Sequence, residues 1–295
     1  MTNQQINNLF DLKNSFYLGN WQQCLNEAQS IKPINDEQRL ERDFFMYRAY
    51  IAQKKYHVVI SEVKDSSPQP LKAVRLLAEY LSRPDDRDSI IEKIDSDKTL
   101  YMSDNYSSVC AASIYSRERS YENAMKILNN SDDIECMAAS VQTMLALDRV
   151  DLARKEYKKM AAKDEYHTLS QLCLAWIIIY ENNEKLQDAY FIYQELKEKF
   201  GPTPLLLNGQ ATVLICQNRL DEAETLINEA ISKDPNYTEA IVNQVILSSL
   251  KGKSSEVINR IINQLNDLSL DQTFIKDYEA KQRDFDRISA TYQIA

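Results

Sequence analysis

The stretch PLLLNGQATVLICQNRLDEAETLINEAISKDP, residues 204–235, decides the fold of the chain. Apolar residues recur at steps of three and four in its first half, and again in its second half after the polar break Gln217-Asn218-Arg219. This spacing predicts two amphipathic helices, because side chains three and four residues apart share one helical face. Asp234-Pro235 ends the second helix, since the residue before a proline disfavours the helical conformation. The stretch is therefore predicted to be a helical hairpin. Its inward-facing residues, small where the two helices approach, are Leu207, Ala211, Leu214, Ala223, Ile227 and Ala230.

The second-helix pattern of this hairpin recurs along the chain at a mean spacing of roughly 33 residues. We define an anchor as the first inward-facing residue after each polar break. The eight anchors are Cys24, Val59, Ile90, Ala124, Ala153, Ala189, Ala223 and Val257. A two-helix unit of about 33–34 residues resembles the tetratricopeptide repeat.

Such hairpins must stack on one another, because a single hairpin cannot bury its own apolar stripe. We therefore expect residues 1–295 to form a single domain, an all-α, right-handed solenoid of about eight tetratricopeptide-like hairpins. Residues 273–292 have the composition of a C-terminal capping helix with one solvated side. Its helical face carries Phe274, Tyr278, Phe285, Ile288 and Tyr292.

The composition excludes several other classes of protein. Only 4 Gly and 7 Pro occur in 295 residues, whereas β-sandwiches and β-barrels need many more of them for their turns. Nucleotide-binding loops need several glycines close together, and the four glycines here are far apart. The net charge of −9 argues against nucleic acid and anionic membranes as partners. No secretory leader is evident in MTNQQINNLF, and the longest apolar run, residues 173–180, is too short to insert into a bilayer. Five loosely spaced cysteines are typical of a reducing compartment, so we expect a cytoplasmic protein.

No catalytic, cofactor-binding or metal-binding residues are predicted. The two histidines, His57 and His167, lack the neighbours of a metal site, and no nucleophile motif is present. Acidic pairs such as Asp85-Asp86 and Asp132-Asp133 stand at helix starts, where carboxylates favour the helix dipole. We therefore expect a protein that is not an enzyme and needs no cofactor. A helical-repeat enzyme would instead need converging carboxylates or a metal.

Binding is expected on the concave wall of the solenoid, which the first helix of each hairpin lines. The predicted partner-binding residues are neutral and partly aromatic: Met46, Tyr50, Tyr106, Ser113, Gln142, Trp176, Tyr180, Asn208 and Thr212. Aromatic side chains on such a wall suit a polypeptide anchor, although Trp176 and Tyr180 could equally pack between hairpins. A tetratricopeptide adaptor or co-chaperone scaffold for a short acidic peptide would need clustered Lys, Arg and Asn, which this wall lacks.

Six segments carry a more specific resemblance, to the epsilon subunit of coatomer. They are residues 9–33, 41–64, 141–160, 184–196, 205–211 and 274–288, in chain order and close to the full length. Examples are ERDFFMYRAYIAQKKYHVVISEVK (41–64) and FIKDYEAKQRDFDRI (274–288), which the generic repeat does not explain.

This resemblance implies a non-catalytic subunit of the COPI vesicle coat. It implies a stable heterodimer with the C-terminal domain of the alpha subunit, whose extended hairpin the N-terminal superhelix encircles and whose helical part the C-terminal helices contact. The beta-prime subunit belongs to the same subcomplex. The implied role is in Golgi-to-endoplasmic-reticulum retrieval and intra-Golgi transport, on the cytoplasmic side of Golgi membranes and coated vesicles. A short-peptide adaptor is the alternative.

Overall fold

The computed structural model describes residues 3–33, 35–129, 131–268 and 273–292, and divides into two compact units, Met1–Asp188 and Ala189–Ala295. Within the described residues the chain is helical and no strand occurs. The helices of unit 1 are α1 (Asn3–Tyr17), α2 (Trp21–Ser30), α3 (Asp36–Ala52), α4 (Tyr56–Glu62), α5 (Gln69–Ser82), α6 (Arg87–Ser96), α7 (Lys98–Tyr101), α8 (Asn105–Arg117), α9 (Tyr121–Leu128), α10 (Ile134–Ala146), α11 (Val150–Asp164) and α12 (Thr168–Glu181).

The next helix, α13 (Leu186–Phe200), crosses the boundary between the units. The remaining helices belong to unit 2: α14 (Pro204–Cys216), α15 (Leu220–Lys233), α16 (Thr238–Leu250), α17 (Ser255–Leu268) and α18 (Thr273–Thr291). The eight anchors lie in α2, α4, α6, α9, α11, α13, α15 and α17, the second helices of successive pairs. All are buried except Val257, which is half-buried.

The hairpin predicted over residues 204–235 is confirmed as α14 and α15. Its six inward-facing residues have between 0% and 2% of their surface exposed. Ala211, Leu214, Ala223 and Ile227 share one apolar cluster with Leu247 of α16, while Leu207 and Ala230 share another with Ala240. The stripe of one hairpin is thus covered by the next one, as stacking requires.

The turns between paired helices explain how the chain manages with so few glycines. Seven of these turns place one residue in the left-handed region, with φ between 46° and 76°: Gly19, Lys54, Arg119, Asp148, Asn182, Asn218 and Gly252. At Arg119, for example, the N–H donates to the Ser116 carbonyl at 3.1 Å and the Ser120 N–H donates to the Tyr115 carbonyl at 2.8 Å. This is the Schellman arrangement, which usually recruits glycine. Five of the seven positions are polar or charged residues instead, so the polar breaks in the sequence are the turns.

Several first helices begin with a side-chain cap that satisfies an otherwise unpaired N–H group. Asn35, Asp104, Asp133 and Thr203 accept backbone N–H bonds at the starts of α3, α8, α10 and α14. His167 does the same for α12, with Nδ1 accepting from the Leu169 N–H at 3.2 Å. The third helix pair departs from the pattern, because a 3-10 turn at Pro84–Asp86 joins α5 to α6 and the short α7 follows.

Candidate partner-binding surfaces

The nine residues predicted to bind a partner all lie in first helices of the pairs. Seven are in unit 1, on α3, α8, α10 and α12, while Asn208 and Thr212 are on α14 of unit 2. Their exposure differs widely. Gln142 and Tyr180 are exposed, Asn208 is buried, and the others are half-buried.

Tyr106 belongs to a polar and aromatic contact between α1, α3 and α8. Its hydroxyl donates to Glu41 at 3.1 Å, its ring lies 4.5 Å from that of Phe44, and Glu41 also pairs with Lys13. Burial, followed by the negative charge of Glu41, raises the pKa of Tyr106 well above its usual value. The hydroxyl therefore stays protonated and acts as a hydrogen-bond donor at neutral pH.

Four other predicted residues of unit 1 make mainly internal contacts. Met46 and Tyr50 pack against the main apolar cluster, and Trp176 packs against a second cluster around α10 and α12. Ser113 donates to the carbonyl of Val109 in its own helix at 2.7 Å. Three of these four half-buried side chains therefore belong to the apolar packing of unit 1, and Ser113 bonds within its own helix.

Tyr180 is the most accessible aromatic of the predicted set, with 45% of its surface exposed. Its hydroxyl donates to Asp148 at 3.0 Å, which links the end of α12 to the turn after α10. Gln142 is also exposed on α10. These two side chains are the members of the set in unit 1 that a partner could contact without repacking the helices.

A buried ion pair near these residues was not predicted from the sequence. Arg48 of α3 pairs with Glu135 of α10, and both side chains are less than 15% exposed. The guanidinium also lies 4.4 Å from the ring centre of Phe16 and 4.9 Å from that of Phe44. Burial alone would lower the pKa of Arg48, but the charge of Glu135 raises it, so the guanidinium keeps its charge. The visible signal in the sequence is a charged residue inside the aromatic run FFMYRAY.

Residues far apart in the sequence join α1 to α10 and α12 within unit 1. Thr168 Oγ1 donates to Asn14 Oδ1 at 2.6 Å, with both residues buried, and Asn14 Nδ2 donates to the Phe10 carbonyl. Tyr17 donates to Glu135 at 3.2 Å, and its ring centre lies 6.1 Å from that of His167. Burial lowers the pKa of His167, which favours the neutral ring that caps α12. These contacts fix the first helix pair without any apolar motif that a sequence pattern would reveal.

Asn208 and Thr212 of unit 2 are brought together with Asn243 of α16. The side-chain amide of Asn243 donates to Asn208 Oδ1 at 2.8 Å and to Thr212 Oγ1 at 3.0 Å. Thr212 in turn donates to the Asn208 carbonyl at 2.9 Å. Two predicted residues thus share one polar network with a third, Asn243, that the sequence pattern did not single out.

Several exposed aromatic and aliphatic side chains follow one another along the last helix and its end. The first turn of α18 packs on unit 2 through Ile275, which is buried, and Phe274, which is half-buried. Beyond it Phe285 is 70% exposed, Ile288 50% and Tyr292 76%. With Tyr278 these residues recur at steps of seven, three and four, so Tyr278, Phe285 and Ile288 line one face of α18, and Tyr292 follows at the same spacing just after its last residue, Thr291. We call Tyr278, Phe285, Ile288 and Tyr292 the α18 stripe.

A metal centre or a membrane-spanning helix would indicate a different class of protein. The part of the chain that the structure describes contains no group of three or more His, Cys, Asp or Glu side chains able to hold a metal ion. None of the helices described there combines the length and hydropathy needed to span a bilayer.

The fold and these surfaces define a tetratricopeptide-like helical-repeat protein. A tetratricopeptide repeat protein of Parabacteroides merdae superimposes with a TM-score of 0.53 over 92% of this chain and 96% of that chain, at 12% identity. The Cut9–Hcn1 hetero-tetramer of the APC/C gives a TM-score of 0.57 over 87% of this chain and 51% of that chain, also at 12% identity. These likenesses confirm the predicted all-α, tetratricopeptide-like class.

Sequence comparison gives the family. The family model described as coatomer epsilon subunit matches residues 5–293. Coatomer subunit epsilon of Dictyostelium discoideum is 42% identical over 275 residues, covering 88% of this chain and 90% of the relative. Coatomer subunit epsilon-1 of Arabidopsis thaliana is 36% identical over 282 residues, covering 95% of each. The chain belongs to the coatomer epsilon subunit family. It is thus a component of the COPI vesicle coat that associates with other coatomer subunits.

Proposed function

We propose that the chain is a non-catalytic clamp that binds and stabilises the C-terminal domain of the alpha subunit of coatomer. The observation that carries this proposal is the α18 stripe. At about 150–250 Å² for an aromatic side chain, its exposed fractions amount to an apolar patch of about 400 Å². Apolar patches of this size on soluble proteins are often functional, as contacts for proteins or other ligands.

The charges of α18 favour a protein surface over a lipid surface. Residues 273–292 contain four acidic and four basic side chains, so the helix carries no net charge. Helices that adsorb to anionic membranes have a polar face rich in Lys and Arg, which α18 lacks. An amphipathic helix with a neutral polar face suits packing into an apolar groove of a partner.

Further parts of the proposal follow from the family. The partner-bound chain would stay with the beta-prime subunit in the coat and support Golgi-to-endoplasmic-reticulum and intra-Golgi transport. It would reach the cytoplasmic face of Golgi membranes and coated vesicles as a peripheral protein, through its partners. The nine first-helix residues remain proposed partner contacts, with the exposed Gln142 and Tyr180 most available for direct contact.

The test is the affinity of the full chain for the C-terminal domain of the alpha subunit, measured by isothermal titration calorimetry. Phe285→Glu should weaken binding at least tenfold. Ala290→Glu is the matched control, because it adds the same charge to an exposed position on the opposite side of α18. If the two variants bind the domain equally well, the α18 stripe is not part of the interface. Failure of the unmodified chain to form a 1:1 complex would overturn the proposed function, and tight binding of isolated short peptides would favour an adaptor.

A further inference from the structure

Helix α11 carries a row of exposed lysines that is unusual in this acidic chain. The helix has five basic and three acidic residues, a net charge of +2, whereas the other seven second helices have net charges between 0 and −3. Four of its basic residues are lysines exposed to solvent. Two of them follow Lys155 at steps of three and four, and the last follows four residues later, so all four share one helical face. We call Lys155, Lys158, Lys159 and Lys163 the lysine stripe.

Internal contacts neutralise only part of the charge of the lysine stripe. Lys159 pairs with Glu156 of the same helix at 2.8 Å. The Lys163 ammonium donates to the Asp132 carbonyl at 2.7 Å, with the Asp132 carboxylate 4.0 Å away. Among the described residues, the other two lysines of the stripe form no ion pair. Because lysines four residues apart on a helix repel one another, the stripe does not stabilise α11, and a partner of opposite charge would relieve the repulsion.

The dimensions of the lysine stripe fit a short acidic segment of a polypeptide. Lys155, Lys159 and Lys163 are spaced by about 6 Å along the helix axis, so the stripe is about 12 Å long. Alternate side chains of an extended segment, or side chains one turn apart on a helix, recur at nearly the same distance. About three carboxylates of one segment can therefore meet the stripe. Acidic residues bound it on both sides, Asp151 before it and Asp164 after it, so a longer acidic run would be repelled at the ends.

The surroundings of the stripe favour a protein partner over an anionic membrane or a nucleic acid. A helix that lies on a membrane inserts an apolar face between the lipids. The apolar side of α11 is already used inside unit 1, since Ala153 and Met160 are fully buried in a cluster with residues of α10 and α12. A membrane or a nucleic acid also extends well beyond the stripe. Its phosphates would face the acidic ends of the stripe and a chain of net charge −9, which repels them.

We propose that the lysine stripe is a docking surface for an acidic segment of a protein partner, whose carboxylates pair with the stripe lysines. Exposed charge pairs contribute modestly to affinity and more to the rate and register of association, so the contact is weak and sensitive to salt. This inference goes beyond the proposed function. It concerns a second helix of unit 1, whereas the α18 stripe belongs to unit 2 and the nine predicted contact residues belong to first helices.

Fluorescence anisotropy of the full chain with a labelled peptide tests the proposal. The probe is a peptide of three glutamates alternating with serines, and its control carries glutamine in place of glutamate. The acidic peptide should bind, and less tightly as the salt rises from about 50 to about 200 mM, because salt screens exposed charges. Lys155→Glu combined with Lys158→Glu removes no ion pair and should weaken binding at least tenfold. Lys72→Glu combined with Lys233→Glu changes the net charge equally, at exposed lysines of α5 and α15, and should change the affinity less than twofold.

Carbodiimide cross-linking locates the bound peptide, because it joins a carboxylate directly to an amine in contact with it. The adducts should concentrate on the lysines of α11, and circular dichroism should show the same helical content in both double variants. Adducts spread over lysines of other helices would overturn the proposal, as would equal affinities of the two double variants. Stripe-dependent binding of phosphatidylserine vesicles without binding of the acidic peptide would also overturn it. None of these measurements uses the alpha subunit, so failure here is distinct from failure of the proposed function.

Discussion

Gly209→Ala should destabilise unit 2, although alanine is the better helix former. Gly209 lies within α14, where the ring of Tyr193 from α13 packs directly on its backbone. A β-carbon at this position would lie 2.4 Å from Tyr193 Cε1 and 2.5 Å from Cζ. Tyr193 is only 2% exposed, so its ring has no open space to enter. The next residue, Gln210, fixes the same two helices, because its amide donates to Gln194 and its carbonyl accepts from Lys197, both at 2.9 Å.

The magnitude follows from the size of this overlap. Carbon atoms in contact lie about 3.5–4.0 Å apart, so ring and helix must separate by roughly 1 Å or more. Overpacking of this kind costs about 1–3 kcal/mol, with the upper end expected at a buried ring between bonded helices. Replacing a helical glycine with alanine stabilises the helix by about 1 kcal/mol, which offsets part of this cost. The expected net loss is about 1–2 kcal/mol, which corresponds to a melting temperature lower by about 2–8 °C.

Thermal unfolding followed by circular dichroism checks this value, and a double-mutant cycle checks its cause. Tyr193→Leu removes the ring, so Gly209→Ala should cost at least about 1 kcal/mol less in that background. Gly252→Ala is the control. Its φ of +65° makes alanine strained, but no atom lies within 4 Å of the added carbon, so Tyr193→Leu should not rescue it. Additive effects of Gly209→Ala and Tyr193→Leu would refute the steric argument.

Three further predictions concern the turns and the buried polar contacts of unit 1. Arg119→Gly should be more stable to urea than Arg119→Ala by about 1 kcal/mol, since the φ of 57° strains alanine; equal stability would contradict the left-handed turn. Glu135→Ala should cost about 3 kcal/mol in the same assay by leaving Arg48 buried without its counter-charge, whereas Asp151→Ala, at an exposed pair, should have no measurable effect. Because burial lowers the pKa of His167 in the folded state, stability should be constant above about pH 6.5 and fall as the pH drops below it. His167→Asn keeps a capping side chain without a titrating ring and should remove that part of the slope, and an unchanged slope would refute the assignment.

The helix pairs could be predicted because local rules place each of them. Apolar spacing fixed which faces of α14 and α15 turn inward, and the polar breaks marked the turns. The single continuous solenoid over residues 1–295 stays a prediction. The irregular third pair was not predicted, because the 3-10 turn at Pro84–Asp86 and the short helix Lys98–Tyr101 interrupt a sequence that still keeps the repeat spacing.

The polar contacts of the candidate surfaces follow no local rule, and this limits prediction of the site. Glu135 and Arg48 are 87 residues apart, and Asn14 and Thr168 are 154 apart. No period of about 33 residues relates the members of either pair, because each pair joins helices that are not neighbours in the sequence, α3 with α10 and α1 with α12. Asn208 and Thr212 could be placed on one face from their spacing of four residues. Their partner Asn243 could not, because it belongs to the next helix pair.

Some parts of the chain are held by internal polar contacts, whereas others expose apolar side chains that a partner can cover. Arg48 and Glu135 satisfy each other, and separating a buried ion pair is costly, so a partner gains little by opening unit 1 at this point. The α18 stripe lies in unit 2 and has the opposite character. Covering exposed apolar side chains is favourable, and no internal bond is lost when a partner covers them. The exposed α18 stripe is therefore where we expect charge substitutions to change affinity without changing stability, whereas charge substitutions at the buried ion pair of unit 1 should change stability first.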